Sequence, residues 1–181
     1  MIMIVDNFYT NVDEVREYAL SLEYKTTGNY PGFRTESVKD PIWKAYIKAK
    51  LENLLNRQIT SFDAEHNTSF QFTTELSDTW VHSDLQSFAA VLYLTPEPLL
   101  DSGTALYRHK KSGTTKHTEG LDIAPDARDL THWEMLAEAK NVYNRLVIYE
   151  ADQYHRSVVP GFGTDKYTGR LFQTFFFEAN K

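Results

Sequence analysis

Thr79-Trp80-Val81-His82-Ser83-Asp84-Leu85-Gln86-Ser87-Phe88-Ala89-Ala90-Val91-Leu92-Tyr93-Leu94 joins a His-x-Asp step to an apolar run. Side chains two apart on an extended strand share a face. His82 and Asp84 therefore aim one way and Ser83 the other. Phe88 to Leu94 shows little polar alternation, as expected of a strand covered on both faces, and Pro96 and Pro98 end it. An imidazole and a carboxylate side by side are two metal-ligand types. The same step also occurs at ordinary strand ends, where both groups are simply solvated. Its meaning depends on what accompanies it.

Downstream, Arg145-Leu146-Val147-Ile148-Tyr149 reads as a strand, Asp152-Gln153 as a turn, and Tyr154 to Val158 as a further strand carrying His155. Pro160 to Thr168 is a Gly-containing turn, and Arg170 to Phe177 is the last strand. Alternation puts Arg170, Phe172, Thr174 and Phe176 on one face of it. An arginine rooted in an apolar strand needs an anionic partner, because an unpaired buried charge is costly. That partner is either a protein carboxylate or the carboxylate of a bound acid, which a guanidinium fork fits with two hydrogen bonds. His155 is the candidate to join His82 and Asp84. Two imidazoles and one carboxylate on one side of an ion leave adjacent positions open, the pattern of non-haem Fe(II) oxygen chemistry.

Upstream, Ile2 to Val5 is a short strand. Asn11 with Glu14 forms a capping box for a helix whose apolar face carries Val12, Val15, Ala19 and Leu22. Residues 27–32 are a turn-rich loop, and Phe33 to Ser37 a short strand. Asp40-Pro41 opens a second helix with an apolar stripe of Ile42, Ile47, Leu51, Leu54 and Leu55. From Thr60 the period falls to two, with Phe70 and Phe72 alternating against Gln71 and Thr73. Thr104 to Tyr107 is a strand. Residues 108–128 form a long polar stretch, a candidate lid loop, since loops of this length in a compact domain are usually functional or disordered. His109 and His117 within it are expected to be solvated, and Trp80 is assigned to packing. Thr131 with Glu134 predicts a helix to about Lys140.

The chain has 181 residues, enough for one domain with a real core. It has no cysteine, so any metal site rests on His and carboxylates. The net charge of −6 argues against a broad nucleic-acid surface. No membrane-spanning run and no targeting segment is visible, and the expected location is the cytoplasm.

In this order, the motifs resemble those of the 2-oxoglutarate- and Fe(II)-dependent oxygenase superfamily, in particular its prolyl-4-hydroxylase-like branch. The resemblance spans about Phe70 to Phe177. It rests on His82-Ser83-Asp84, the Ala89–Leu94 strand, Ser102-Gly103-Thr104-Ala105-Leu106, Asn144–Tyr149 leading to His155, and Arg170. It implies a mainly β fold with flanking helices. The core would be a double-stranded β-helix, a cupin-like jelly-roll barrel, over about residues 60–178, with N-terminal helices from 1–58 packed on one sheet, all one domain over 1–181. It further implies Fe(II) held by His82, Asp84 and His155, and 2-oxoglutarate held by Arg170 with help from Tyr93 and Thr174. Dioxygen would then oxidise a small-molecule or peptidyl substrate while 2-oxoglutarate is decarboxylated to succinate. Many members carry Arg-x-Ser on the last strand where this chain has Phe172, and Arg108 and Arg156 stand as alternative anchors. The rival readings are a non-catalytic barrel acting as a binding module and a metal enzyme that does not use 2-oxoglutarate.

Overall fold

In chain order the elements are β1 (Ile2–Val5), α1 (Val12–Ser21), β2 (Phe33–Arg34), α2 (Pro41–Leu55), β3 (Ile59–Ser61), β4 (Phe70–Thr73), β5 (Phe88–Tyr93), β6 (Thr104–His109), β7 (Trp133–Ala139), β8 (Leu146–Glu150), β9 (His155–Ser157) and β10 (Arg170–Ala179). This is a computed structural model that describes residues 1–25, 28 and 30–180. Of the predicted 27–32 loop, Thr27 and Asn29 lie outside the described residues. Among the described residues the chain is mainly β, with two α-helices.

The strands form two antiparallel sheets. In the larger, the order is β1-β8-β5-β10-β4-β2, with β3 attached to β10; in the smaller it is β7-β6-β9. Register along the centre of the large sheet runs Phe172↔Tyr93, Thr174↔Val91 and Phe176↔Ala89. Because side chains alternate, this sheet has two working faces. Leu92, Leu146, Ile148, Phe175 and Phe177 meet Ala19 of α1 and Ile47 and Leu51 of α2 in the main core. On the opposite face Val91, Val147, Tyr149 and Phe172 meet Leu106 and Ala139 of the small sheet. Each fully buried Leu or Phe contributes roughly 1.5–3 kcal/mol, so the large sheet is clamped from both sides. Gln173, a polar residue on the helix-facing side, accepts from the Tyr9 hydroxyl at 2.9 Å and donates to the Thr68 carbonyl at 3.0 Å.

The helix signals hold in part. Asp40 accepts from the Ile42 and Trp43 N–H groups at 2.9 and 3.2 Å, with Pro41 at the first helical position. In the apolar stripe, Ile47 and Leu51 are fully buried but Ile42 is 80% exposed. Asn11 does precede α1, but its amide donates to the Glu14 carboxylate rather than capping backbone groups.

The helix predicted from Thr131 to Lys140 is a strand. Residues 130–132 make one 3-10 turn capped by Asp129, and Trp133–Ala139 pairs with β6 from Thr104↔Ala139 to His109↔Trp133. Glu, Met, Leu and Ala favour helix locally. Here the open edge of β6 and the burial of Trp133 and Ala139 outweigh that preference. At the start of β6 the chain comes against the end of β7. A Cβ on Gly103 would lie 1.8 Å from the Ala139 carbonyl oxygen, so only glycine permits the approach. Among the described residues no helix is long and apolar enough to cross a membrane.

Candidate metal centre

Residues 79–84 are not a full strand. They join the small sheet through a single antiparallel bridge, His82↔His155. The bridge brings the two rings to a centroid separation of 4.4 Å. Nδ1 of His82 faces the Trp80 carbonyl at 3.0 Å, and Nδ1 of His155 faces the Gln153 carbonyl at 2.8 Å. A carbonyl only accepts, so each Nδ1 carries a proton, and Nε2 is the nitrogen left to bind a metal. Asp84 completes the group: one carboxylate oxygen is 3.3 Å from His155 Nε2 and the other 3.8 Å from His82 Nε2.

One ligand atom from each of the three lies within 4.8 Å of the others. Bonds from imidazole or carboxylate to a first-row divalent metal are about 2.0–2.2 Å, so donors at this spacing fit a single ion. Their protonation fits too. Burial, reinforced by the neighbouring His155, lowers the His82 pKa to about 4, leaving a neutral ring at pH 7. Burial alone would push Asp84 up, but the two imidazoles and the His155 contact hold it below the ordinary carboxylate value.

The three residues line a cavity of about 390 Å³. Arg170, Phe172, Thr174 and Phe176 line it as well, as alternation along β10 predicts. Arg170 is 3% exposed. Its Nε donates to the Ser102 carbonyl at 2.6 Å, and its guanidinium lies 5.3 Å from the Tyr93 ring centre and 4.4 Å from that of Phe172. Arg16, Arg108, Arg128 and Arg145 form ion pairs; among the described residues Arg170 forms none. Burial pulls its pKa down accordingly. The Thr174 hydroxyl donates to the His66 and Ser69 carbonyls. Tyr93 is fully buried behind the cavity wall, its hydroxyl 2.8 Å from that of Thr104. Of the alternative anchors, Arg108 pairs with Glu134 at 2.9 Å, away from the cavity. Arg156 lines the cavity while donating to the Ser157 and Val158 carbonyls.

Trp80, Tyr149 and Arg34 are lining residues that escaped the sequence expectations. Trp80, assigned to packing, lines the cavity; lying two residues before His82, it shares that face. Tyr149 packs its ring 4.6 Å from that of His155. Its neighbour Ile148 faces the helices, so alternation could have placed it. Arg34 follows Phe33 on the two-residue β2, too short to show a period.

His109 also departs from expectation. It is 2% exposed rather than solvated, with Nε2 2.9 Å from Asp126 and Nδ1 2.9 Å from the Ser112 hydroxyl. The long loop is tied to the two segments that carry His82 and His155. The Ala127 carbonyl accepts from Val81 N–H at 2.8 Å, and the Thr115 carbonyl from Tyr154 N–H at 2.9 Å. Residues 110–128 do not line the cavity.

A family model described as a family of unknown function (DUF6445) matches residues 1–177. The chain belongs to the DUF6445 family. No curated protein matches it. Among solved structures it resembles HygX from Streptomyces hygroscopicus with nickel and 2-oxoglutarate bound, at TM-score 0.65 and 10% identity over 97% of this chain and 82% of that one. It resembles a Trichoplax adhaerens prolyl hydroxylase in complex with a hypoxia inducible factor peptide fragment, at TM-score 0.62 and 12% identity over 97% and 82%. A Pseudomonas putida prolyl-4-hydroxylase matches at TM-score 0.55 and 15% identity over 99% and 93%. The structural neighbours of this DUF6445 chain are thus 2-oxoglutarate- and Fe(II)-dependent oxygenases, prolyl hydroxylases among them.

Proposed function

We propose that this protein is an Fe(II)- and 2-oxoglutarate-dependent dioxygenase built on a double-stranded β-helix. It hydroxylates a small metabolite or a peptidyl side chain and converts 2-oxoglutarate to succinate and carbon dioxide. His82, Asp84 and His155 hold the metal, and Arg170 holds the far carboxylate of 2-oxoglutarate. One observation carries the reading: a His-Asp-His donor cluster shares a cavity with a buried guanidinium that has no carboxylate partner among the described residues. The nickel and 2-oxoglutarate bound in HygX support it as a chemical precedent on this fold.

Bound iron would supply the activation of dioxygen. The chain supplies position. The Trp80 and Gln153 carbonyls hold both imidazoles in the tautomer that offers Nε2. With Nε fixed on Ser102 and the Tyr93 hydroxyl beside it, the guanidinium of Arg170 is held at the cavity wall, where a carboxylate can meet it. Val91, Phe172 and Phe176 give the same wall an apolar patch, and lower local polarity strengthens such an ion pair.

Anaerobic addition of Fe(II) and 2-oxoglutarate to the purified protein tests this. A weak visible charge-transfer band is expected, lost in His82→Ala, with succinate formed on admitting air. No band in the wild type and no succinate under air would overturn the proposal.

A further inference from the structure

Arg34 is a second guanidinium of the cavity, and it is held by neutral groups. Its Nε and Nη2 donate to Gln71 Oε1 at 2.8 and 2.6 Å. The Gln71 amide in turn donates to the Pro31 carbonyl, which fixes which end of that side chain faces the arginine. The guanidinium lies 4.0 Å over the Tyr30 ring. Phe33 stacks on Phe72 at 4.6 Å and pins the strand on the far side. The head group is therefore set in place before any ligand arrives. Yet among the described residues it makes no ion pair, and Nη1 has no hydrogen-bond partner.

The charge balance points the same way. The chain carries −6 overall, yet Arg34, Arg156 and Arg170 line the cavity against two carboxylates, Asp84 and Glu65. If the site is the metal centre proposed above, Asp84 is engaged by a dication and one dianionic cosubstrate enters. Counting three arginines, the dication, two carboxylates and the dianion leaves about one positive charge. A second cavity of about 480 Å³ adjoins the first and shares Tyr30, Arg34, Glu65 and His66 with it. Arg34 thus stands where a molecule at the metal centre would extend outward. With Glu65 on the same wall, a singly charged group suits this guanidinium better than a dianion.

We infer that Arg34 is the specificity residue of this site and that the substrate is a carboxylic acid, its carboxylate bound by Arg34 and its oxidisable carbon directed toward the His82–Asp84–His155 face. This rests on the dioxygenase reading and adds a substrate class to it. Arg34 binds and orients, and takes no part in the oxidation. An acid gains a charge-assisted fork at Nη that the corresponding amide cannot match.

The test uses the Fe(II)-loaded protein, 2-oxoglutarate and air, with the free L-amino acids and simple hydroxy acids offered singly beside their primary amides. Inorganic phosphate serves as a competing anion. Succinate release above the rate without substrate, and the hydroxylated product, are read. At least one acid is expected to stimulate release at least tenfold more than its amide. Arg34→Gln should raise the KM for that acid about tenfold or more, with a smaller change in kcat, and Arg34→Lys should recover part of it. Phosphate is expected to compete weakly. A panel in which no acid outperforms its amide overturns the inference, as does an unchanged KM in Arg34→Gln. The anaerobic band separates the two levels: its absence in wild type defeats the dioxygenase reading, whereas a normal band with acids and amides alike defeats only the role of Arg34. The same band in Arg34→Gln reports that the variant is folded around its metal.

Discussion

His82 and His155 are a hydrogen-bonded cross-strand pair: each backbone N–H donates to the other's carbonyl, at 3.1 and 2.8 Å. The two imidazoles are thus brought together by backbone bonding between segments far apart in the chain, before any ion is present. A preformed site binds metal without ordering the chain.

Metal should therefore stabilise the folded protein directly. Mn(II) at about a hundredfold excess over its Kd adds about 2.7 kcal/mol, or about 5–10 °C in Tm for a chain of this size. Asp84→Ala is expected to remain folded and lose most of that shift. A thermal melt in which Asp84→Ala keeps the full shift would show that the carboxylate is no ligand.

Arg170 separates a binding role from a structural one. Replacing a buried, unpaired guanidinium by an apolar side chain of similar length is often neutral or stabilising. Arg170→Met should keep the Tm of the metal-free protein, packing against Tyr93 and Phe172, while the affinity for 2-oxoglutarate falls about 30-fold or more. Calorimetric titration and a melt check both halves. A large loss of Tm with unchanged affinity would make Arg170 a clamp for Ser102 and nothing else.

The His109–Asp126 contact fastens the long loop. Asp126→Ala leaves the buried Nε2 of His109 without its partner, at a cost of about 1–3 kcal/mol. Faster tryptic cleavage after Lys110, Lys111 or Lys116 is the expected result. Cleavage at the wild-type rate would mean that the remaining backbone bonds of the loop suffice.

Orientation of α2 can be read from two positions on its apolar stripe. Leu51→Ala should cost about 2–5 kcal/mol, whereas Ile42→Ala, at an exposed site, should stay within about 0.5 kcal/mol. Urea midpoints measure both. Equal costs would place Ile42 in the core.

Much of this architecture is legible in the sequence because its signals are local and periodic. Strict alternation placed Arg170, Phe172, Thr174 and Phe176 on the cavity face, and Asp40-Pro41 marked a helix start by its own chemistry. His82, Asp84, His155 and Arg170, named from sequence, all line one cavity. The failures are non-local. Trp133–Ala139 has a helical composition and becomes a strand because β6 offers an edge. His109 sits in a polar stretch, and only folding brings Asp126 to it. Arg34 lies on a strand of two residues, which has no period to detect.

Gly103 carries no reactive group, yet its neighbour Ser102 provides the carbonyl that grips Arg170, 68 positions further along the chain. Any substitution at 103 must push β6 away from Ala139 and drag that carbonyl with it. On the proposed reading, a methyl group at a position outside the cavity lining lowers 2-oxoglutarate affinity. A screen for inactive variants would then score a backbone position as if it were a ligand contact.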